Sequence, residues 1–598
     1  MLKPFDGNDV QPHYVTCMDI ETSPAGDIIA IGFAYQKNDG QREYEYHEDT
    51  KSWLKSLQYL LRQKDNTKYD TKRYARIFAH NGANFDYLKV YEEFVELDVV
   101  EDAQYFTADS TGIGCSFKLK GIKQNLYLMD SYRLMPASLA KLGETYQTGN
   151  RKQNVPNECK NDYKLFKDKY PVLFAAYLMA DVLSLQEIIL KFWKSIYVKF
   201  GNVGQLPMTL PALALRAFSK GMSEPLLTPE AKKLCEFERA AYKGGLTLCM
   251  RTGVFENVNV YDVNSMYPNA MAKHEYPASY VGYWTKTFDE NAMGLWEAEY
   301  EQTNTAVPPL LFDTDNGASY DGRGIFTSQE LLHLQTTGGT FKISDGYVYE
   351  EKAYLFRDFV ETVYQDRQDA TKRGDEALAF TLKILLNSLY GKFAQRQMGT
   401  TIEWYTYDRL DEYVNAGKRT KIMGDFLVTE GEREVPHVFV AIAAMITANA
   451  RIDLHRRMTD VFNAGFDVYY CDTDSIHTNG TMLETTGLGG VKLENSGKAA
   501  YAGRKLYAFE KIIPEIIDGK ATGKMLDKIK AKGIGRNQVG KKLSYETIET
   551  LALNKDLIEA FTFEGFPSVR GVLSKREKAA VMRLMTRRIR NTGGIWDE

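Results

Sequence analysis

Two acids in the segment YCDTDS carry the strongest chemical signal in this sequence. Asp472 and Asp474 stand between apolar stretches, and the pattern predicts a tight β-hairpin in which both carboxylates point the same way. Paired acids at an apolar hairpin tip are costly to bury unless a metal ion compensates their charge. A surface turn rich in Asp, Thr and Ser is the alternative, which the apolar flanks disfavour. The segment is therefore a candidate site for divalent cations.

A third acid, Asp262 in VYDVNSMYP, ends a predicted strand that contains Val258 and Val260. An acid at the end of a strand is well placed to hold a metal ion. The backbone carbonyl of Val263 could supply a further oxygen ligand, which hard cations accept. The segment predicts a second contribution to a metal site.

A helical segment, KILLNSLYG, places three polar side chains on one face. Lys383, Asn387 and Tyr390 follow the spacing i, i+4 and i+7. A lysine can hold a triphosphate as a point charge, and a tyrosine can stack on a base or sugar. Gly391 would let a base pair approach the backbone closely. The alternative is a helix that simply has one polar face.

Four further acids come from separate elements near the N-terminus. Asp19 and Glu21 share one face of a predicted strand, where they repel each other unless a cation lies between them. Asp86 ends the segment HNGANFD, and Tyr177 and Asp181 lie one helical turn apart. Each pattern alone is more typical of a strand edge, an Asx turn or a helix face. Together they provide what a two-metal phosphodiester hydrolase needs.

Strand patterns followed by helical patterns predict a compact α/β domain that ends near residue 200. Two strands joined by a turn are predicted over Tyr14–Tyr35, and two more at Arg76–Ala79 and Leu126–Met129. Helical periodicity dominates Tyr163–Phe200, with a break at Pro171. These elements would position the four N-terminal acids.

A Gly- and Pro-rich segment at 201–211 predicts a boundary, and a longer second region follows it. Its predicted parts are short strands over 271–345, a helical hairpin over 355–393 interrupted at 373–375, strand-like segments over 398–434, a buried helix over 438–461 and a basic helix over 575–590. The basic residues of that last helix are Lys575, Arg576, Lys578, Arg583, Arg587, Arg588 and Arg590. A solvated cationic face is their alternative role.

Composition limits the class of protein. The 598 residues are 44% hydrophobic and 26% charged, with 75 basic and 79 acidic side chains and a net charge of −4, which excludes a disordered chain and a globally basic coat protein. Six scattered cysteines without C-x-x-C spacing favour a reducing compartment. The longest apolar run, Val438–Ile446, is far shorter than the ~20 residues of a membrane span. We expect a soluble, cytoplasmic protein with no membrane segment.

The ordered motifs resemble those of family B DNA polymerases over essentially the whole chain. D-x-x-S-x-Y-P, K-x-x-x-N-S-x-Y-G and Y-x-D-T-D-S are similar to polymerase motifs A, B and C, while D-I-E, N-x-x-x-F-D and Y-x-x-x-D are similar to the three motifs of the attached 3′–5′ exonuclease. Tyr242, Gly244 and Gly245 match the Y-x-G-G element between the two domains. Lys505 and Tyr507 match the K-x-Y element that holds the primer terminus.

The resemblance implies an α/β multidomain fold with a ribonuclease H-like exonuclease domain at 1–200 and a right-hand polymerase domain at 201–598. The implied parts of the polymerase domain are a palm at about 201–270, 346–354, 393–397 and 435–530, a first insertion at about 271–345, fingers at about 355–392, a second insertion at about 398–434 and a thumb at about 531–598. The basic residues over 575–590 would belong to the thumb and grip duplex phosphates.

The resemblance also assigns roles at the polymerase site. Asp262, Asp474 and the Val263 carbonyl would bind two Mg²⁺ ions, for which Mn²⁺ is a possible substitute, and Asp472 would support them. The nucleotide-binding candidates are Tyr267 as a steric gate against a 2′-OH, Lys383, Asn387 and Tyr390, together with Arg367 and Lys372. Lys505 and Tyr507 would grip the primer backbone.

At the exonuclease site, the resemblance implies that two metal ions are held by Asp19, Glu21, Asp86 and Asp181, with Tyr177 orienting the water. The candidates for holding the frayed 3′ strand are Thr22, Asn81, Phe85 and Lys141. A further strand-binding pair is either Ser138-Leu139 or Ser131-Tyr132. Stacking on aromatic side chains would favour an unpaired end.

Within the family, the short chain and its two insertions are most similar to the protein-primed group of bacteriophages and linear plasmids. That group implies a monomer that binds primer–template DNA and dNTPs, displaces the non-template strand and uses a separate terminal protein as primer. The alternatives are a family B polymerase that uses only nucleic-acid primers, an exonuclease with a dead polymerase site and a non-catalytic DNA-binding scaffold. The complete sets of acids argue against the last two.

Overall fold

We describe a computed structural model of the chain. The described residues are all of 1–598 except 8–14, 38–39, 63–73, 109–110, 151–152, 303–305, 311–320, 397, 405–418, 424–425, 433–434, 436, 518–519, 533, 535–542, 566–582, 596 and 598.

The N-terminal region forms a mixed α/β layer in which helices cover a central sheet. Its elements are β1 (Thr16–Thr22), β2 (Ile28–Gln36), β3 (Arg42–His47), α1 (Thr50–Arg62), β4 (Arg76–Ala79), α2 (Asp86–Glu96), β5 (Val100–Ala108), β6 (Thr111–Leu119), β7 (Asn125–Asp130), α3 (Leu139–Thr145), α4 (Tyr163–Lys169) and α5 (Pro171–Phe200). The predicted strands are confirmed. Pro171 begins α5, because its missing N–H is harmless in a first helical turn.

The next elements cover the predicted first insertion and the predicted fingers. They are α6 (Leu210–Lys220), α7 (Lys232–Ala241), β8 (Thr247–Cys249), β9 (Gly253–Val263), α8 (Met266–Lys273), β10 (Tyr276–Pro277), β11 (Gly282–Trp284), β12 (Met293–Glu301), β13 (Asp321–Thr327), α9 (Ser328–Thr336), β14 (Thr340–Tyr349), β15 (Lys352–Ala353), α10 (Arg357–Lys372), α11 (Glu376–Ser388) and α12 (Tyr390–Phe393). The predicted helical hairpin is confirmed. Gly374, with φ +73°, makes its turn, and Asp375 caps the N-terminus of α11.

The last elements are β16 (Met398–Trp404), β17 (Arg419–Met423), β18 (Phe426–Glu432), α13 (Val440–Asn463), β19 (Val468–Asp472), β20 (Ser475–Thr478), β21 (Val491–Gly503), β22 (Leu506–Ile517), β23 (Lys520–Ala531), α14 (Tyr545–Leu553), β24 (Ile558–Gly565) and β25 (Arg583–Arg590). The predicted buried helix is confirmed as α13, whose first thirteen residues are all buried.

Three large sheets organise these elements. One has seven strands in the order β23-β22-β21-β9-β20-β19-β8, and a four-stranded sheet in the order β11-β14-β12-β13 stands beside it. The third has ten strands in the order β17-β18-β16-β5-β6-β7-β4-β1-β2-β3. Strand β16 pairs antiparallel with β5, with Ile402 opposite Tyr105. Strands from the predicted second insertion therefore extend the N-terminal sheet.

The predicted basic helix over 575–590 is wrong for its second half. Arg583–Arg590 forms β25, which pairs antiparallel with β24. Ile589 is half-buried and packs against the apolar cluster that contains Leu551. Lys575, Arg576 and Lys578 lie outside the described residues.

Helix α5 is the one helix of the described residues that is long and apolar enough to cross a membrane by length and composition. Most of its apolar stretch is buried inside the protein, where α5 packs on β1 and β2. Such a helix is also typical of a protein core, and the candidate residues Tyr177 and Asp181 lie on its buried face.

The C-terminal tail returns to the edge of the seven-stranded sheet. The Ile595 N–H donates to the Cys249 carbonyl of edge strand β8 at 2.9 Å. The Asp597 carboxylate accepts from the backbone N–H groups of Thr252 and Gly594, each at 2.9 Å. A side chain at Gly594 would meet the backbone of the β8–β9 turn within 2.8 Å. These contacts join the β24–β25 hairpin to the sheet.

We therefore expect Asp597→Ala to destabilise the chain by about 1–3 kcal/mol, because the Thr252 and Gly594 N–H groups lose a charged acceptor. The measurement is the thermal melting midpoint of the full chain, together with limited proteolysis to detect release of the hairpin. Asp556→Ala removes an exposed acid from the preceding loop and is the matched control. Equal midpoints for the two variants would show that the tail does not hold the hairpin.

Candidate active sites

Three acids meet at one end of the seven-stranded sheet. Asp262 ends β9, Asp472 ends β19, and Asp474 lies in the turn that leads into β20. Ser475 stands directly opposite Asp262, and the Val263 N–H donates to the Asp474 carbonyl at 2.7 Å. The predicted hairpin is confirmed, and the backbone ladder brings together acids that are about two hundred residues apart in the sequence.

The charges of these acids oppose one another. Burial, and then the negative charges of Asp262 and Asp472, raise the pKa of Asp474 to about 6, because burial and a second negative charge nearby both disfavour ionisation. Burial also raises the pKa of Asp262, which the Lys492 ammonium partly offsets. A bound cation would relieve both effects, and oxygen donors suit Mg²⁺.

The acids supply only part of a metal coordination shell. Among the described residues, no three His, Cys, Asp or Glu side chains converge into a ready metal site. Asp262 and Asp474 would therefore need the Val263 carbonyl, water or nucleotide oxygens to complete the shell. Mg²⁺ commonly keeps several such ligands, so the residues present fit this ion.

Asp472 ties the acidic hairpin to the predicted primer-binding segment. Its carboxylate pairs with the Lys505 ammonium and accepts from the Thr247 hydroxyl at 3.1 Å. Lys505 has a left-handed backbone, φ +58°, and its N–H donates to the Tyr470 hydroxyl at 3.0 Å. Tyr507 is only 8% exposed, within a cluster of aromatic rings, so little of its ring surface can reach a ligand.

The fingers helices bring two of the predicted residues to the acids. The Lys383 ammonium lowers the pKa of Asp262, although less than burial raises it. The Tyr390 ring stacks on the Tyr267 ring, with 4.2 Å between their centroids. The predicted continuous helix ends at Ser388, so Tyr390 begins the separate short helix α12. The tyrosine pair therefore joins palm to fingers.

The remaining fingers candidates differ in their surroundings. Asn387 is exposed, and no other atom lies within 4 Å of the place where a side chain on Gly391 would stand, so this backbone is open to a ligand. Arg367 donates to the Ser265 hydroxyl at 3.4 Å, next to the Asp262 segment. Lys372 pairs with Asp369 on its own helix, and its side chain is 71% exposed.

The Y-x-G-G segment is fixed by a buried arginine that sequence reasoning missed. Arg451, on α13, donates to the carbonyls of Lys243 and Gly244 at 2.9 and 2.7 Å and forms a buried ion pair with Glu330 at 2.6 Å. A side chain on Gly245 would come within 2.7 Å of the Tyr267 hydroxyl. A charged residue within the buried first half of α13 was the available signal for Arg451.

The N-terminal acids form a second cluster. Asp19 and Glu21 lie on β1, Asp86 opens α2, and Tyr177 and Asp181 lie on the face of α5 that packs against β1. Burial raises the pKa of Asp86, and the neighbouring Asp19 raises it further. Burial, then Glu21 and Asp181, raise the pKa of Tyr177. The structure thus brings together all five residues that the sequence grouped.

Asp130 is a second residue that sequence reasoning missed. It ends β7, and its carboxylate accepts from the N–H groups of Asn81, Ala83 and Tyr132 at 2.8, 3.3 and 2.9 Å. Burial raises its pKa to about 6 despite these bonds. Asp130 therefore shapes the loop that leads to Asp86, and its signal was again an acid at a strand end.

The predicted strand-binding residues surround this cluster at the surface. Asn81 is exposed, Thr22 and Phe85 are half-buried, and Lys141 is exposed and pairs with Glu144 at 3.5 Å. Of the two alternative pairs, Ser138 is exposed and caps α3, and Leu139 beside it is half-buried. The Ser131 hydroxyl is buried and donates to the Ala79 carbonyl.

Comparisons with known proteins agree with this arrangement. The family model for DNA polymerase type B, organellar and viral, matches residues 66–175 and 174–482. The chain is 29% identical to the DNA-directed DNA polymerase of Enterobacteria phage PRD1, over 72% of this chain and 73% of that protein. It is 23% identical to the DNA polymerase of Streptococcus phage Cp-1, over 82% and 86%. A probable DNA polymerase of Neurospora intermedia is 24% identical, but the chain covers only 54% of it.

Solved structures give the same fold. Phi29 DNA polymerase in complex with primer-template DNA and incoming nucleotides has a TM-score of 0.71 at 17% identity, with 97% of this chain and all of that chain covered. Its complex with single-stranded DNA has a TM-score of 0.69 at 18% identity. The predicted exonuclease and right-hand polymerase fold is confirmed.

These findings define a DNA-directed DNA polymerase. The chain belongs to the type B DNA polymerases of organelles and viruses. The resemblance to the bacteriophage group, predicted from the short chain and its two insertions, is confirmed.

The repulsion among the palm acids predicts that Asp474→Asn stabilises the metal-free protein. The wild-type carboxyl has a pKa of about 6 rather than 3.8, so its ionisation opposes folding at neutral pH. Each pKa unit corresponds to about 1.4 kcal/mol, and we expect a gain of about 1–3 kcal/mol at pH 7.5. Because the raised pKa penalises only the charged form, this gain should shrink as pH falls from about 6 towards 4.

The measurement is thermal melting in EDTA at pH 7.5 and at pH 5. Asp460→Asn, an exposed acid at the end of α13, is the matched control. A variant that melts at or below the wild-type temperature at pH 7.5 would contradict the electrostatic account.

Proposed function

We propose that this polymerase extends a primer 3′-OH by two-metal catalysis and proofreads its product with the N-terminal 3′–5′ exonuclease site. The observation that carries the proposal is the convergence of two separate acid clusters, each assembled from distant segments. A DNA-binding scaffold has no need to place like charges together at a cost in folding free energy.

The palm site supplies the groups that chain extension needs. Two Mg²⁺ ions would be held by Asp262, Asp474 and the Val263 carbonyl. When bound, such ions would lower the pKa of the primer 3′-OH and neutralise the leaving pyrophosphate. Lys383 faces the acids from the fingers and is placed to bind the triphosphate. Tyr267, fixed against Tyr390, is placed to exclude a 2′-OH.

The N-terminal site supplies the groups of a phosphodiester hydrolase. Asp19, Glu21, Asp86 and Asp181 would hold its metal ions, and the Tyr177 hydroxyl is placed to orient the attacking water. Exposed Asn81 and half-buried Phe85 border this cluster and offer contacts to an unpaired strand. The Phi29 polymerase complex with single-stranded DNA supports such binding by analogy.

Protein priming and strand displacement are the finer part of the proposal. The four-stranded sheet with α9 corresponds to the first predicted insertion, and β16–β18 extend the N-terminal sheet. These additions, and the similarity to phage polymerases, favour a monomer that acts in the host cytoplasm with a separate terminal protein on a linear genome. Use of nucleic-acid primers alone is the competing function.

Single substitutions should separate the two activities on a 5′-labelled primer annealed to a longer template. With Mg²⁺, wild type should extend the primer when dNTPs are present and shorten it when they are absent. Asp474→Ala should lower extension by roughly three orders of magnitude or more and leave shortening intact, because each site holds its own metal ions. Asp19→Ala should do the reverse.

Each variant is the folding control for the other. Loss of both activities in both variants would contradict two separate sites. A wild-type protein that binds DNA but neither extends nor shortens it would favour the scaffold.

Protein priming has its own test. Labelled dATP, Mg²⁺ and a candidate terminal protein are incubated with the polymerase and no DNA primer, so that dAMP is transferred and pyrophosphate leaves. We expect a covalent terminal protein–dAMP product with wild type and none with Asp474→Ala. Efficient extension of DNA primers without any such product, across candidate terminal proteins from the same genome, would favour a polymerase that uses only nucleic-acid primers.

A further inference from the structure

Lys492 is a cation at the palm site that the motifs do not predict. It lies on β21 directly opposite Asp262 on the neighbouring antiparallel strand β9. Its ammonium is 3.7 Å from Asp262 Oδ1, and its side chain is 52% exposed. The backbone pairing of the two strands therefore fixes a lysine beside a carboxylate that is expected to hold metal.

Packing does not account for this lysine. An exposed ion pair contributes about 0–1 kcal/mol to stability, so Lys492 adds little to the fold. The other lysines at this end of the sheet have different partners, since Lys505 pairs with Asp472 and Lys528 pairs with Glu494. Among these three, Lys492 is the lysine whose partner would be taken up by Mg²⁺.

Because Lys492 lies 3.7 Å from Asp262, it would stand close to the phosphates of a nucleotide bound through Asp262. The positive charges of Lys492, from the palm, and Lys383, from the fingers, both interact with the Asp262 carboxylate. A triphosphate that shares a metal ion with Asp262 must lie within the reach of both ammonium groups. A lysine stem has four rotatable carbons, so Lys492 can leave a carboxylate and follow a phosphate without backbone movement.

We propose that Lys492 is a nucleotide-positioning residue. Its ammonium leaves Asp262 and pairs with the phosphates of the incoming dNTP and, after the reaction, with the pyrophosphate product. The inference rests on the proposed polymerase site. Asp262 is thus neutralised by Lys492 before metal binding. Once metal and nucleotide are bound, the Lys492 ammonium pairs with the phosphates instead, on the side opposite Lys383.

The first test measures nucleotide binding without chemistry. A primer–template with a dideoxy-terminated primer is incubated with the full-length protein, Ca²⁺ and the next complementary dNTP, and the ternary complex is measured by gel shift. Lys492→Ala and Lys492→Gln should raise the apparent dNTP Kd about tenfold, and Lys492→Arg should restore most of the affinity because it keeps the charge. Affinity for primer–template alone should not change.

Lys498→Ala is the matched control, because Lys498 lies on the same strand and pairs with Glu256 and Glu549 away from the acids. It should bind dNTP like wild type. The melting midpoints of the Lys492 variants are measured in parallel and should agree with wild type, since Lys492 is exposed. Shortening of the primer should also stay at the wild-type rate.

The second test uses the product. In pyrophosphorolysis with Mg²⁺, Lys492→Ala should raise the KM for pyrophosphate several-fold, with a smaller change in kcat. Wild-type dNTP and pyrophosphate affinities in Lys492→Ala, with or without a lowered Mg²⁺ requirement, would overturn the inference and leave Lys492 only as a counter-charge to Asp262. A wild-type protein that extends no primer would instead refute the polymerase site itself.

Discussion

The whole palm is organised around like charges that the backbone holds together. The Val263 N–H bond to the Asp474 carbonyl and the pairing of Ser475 with Asp262 are ordinary sheet contacts, yet they fix two acids that repel each other. Burial, together with the repulsion from Asp262, raises the pKa of Asp474 to about 6. The sheet tolerates this electrostatic repulsion because the cost in folding free energy is a few kcal/mol at most, and the pairing of seven strands together offsets it. The acids are therefore preorganised for cations before any ligand arrives.

The exonuclease acids meet the same constraint with different compensation. At the palm, lysines stand beside the acids, as Lys505 does for Asp472. At the N-terminal site, Asp130 is offset by three backbone N–H groups and by the Arg133 guanidinium at 3.6 Å, while Asp86 faces Asp19 and Asp130 in a buried place. Backbone donors hold a carboxylate in position but carry no net charge. A cation bound beside Asp86 and Asp19 would relieve the repulsion between them.

The sequence predicted those site residues whose positions depend only on local geometry. Asp472 and Asp474 share one turn, and a strand or helix period placed the other acids, so short-range geometry was enough. Arg451 and Glu330 escaped because their partners lie 121 residues apart and only the tertiary fold pairs them. The mistaken helix over 583–590 has a related cause. Strand β25 is stabilised by pairing with β24. The local sequence pattern of residues 583–590 contains no information about that partner strand.

The two sites are also joined mechanically, through contacts that neither set of motifs contains. Tyr146, beside the exonuclease helix α3, hydrogen-bonds Thr381 of α11 at 2.7 Å in a buried place, two residues before Lys383. Lys199, at the end of α5, pairs with Asp366 of α10. The ten-stranded sheet adds a third connection through β16 and β5. A displacement of α11 relative to α3 would therefore break a buried hydrogen bond between the N-terminal region and the helix that carries Lys383.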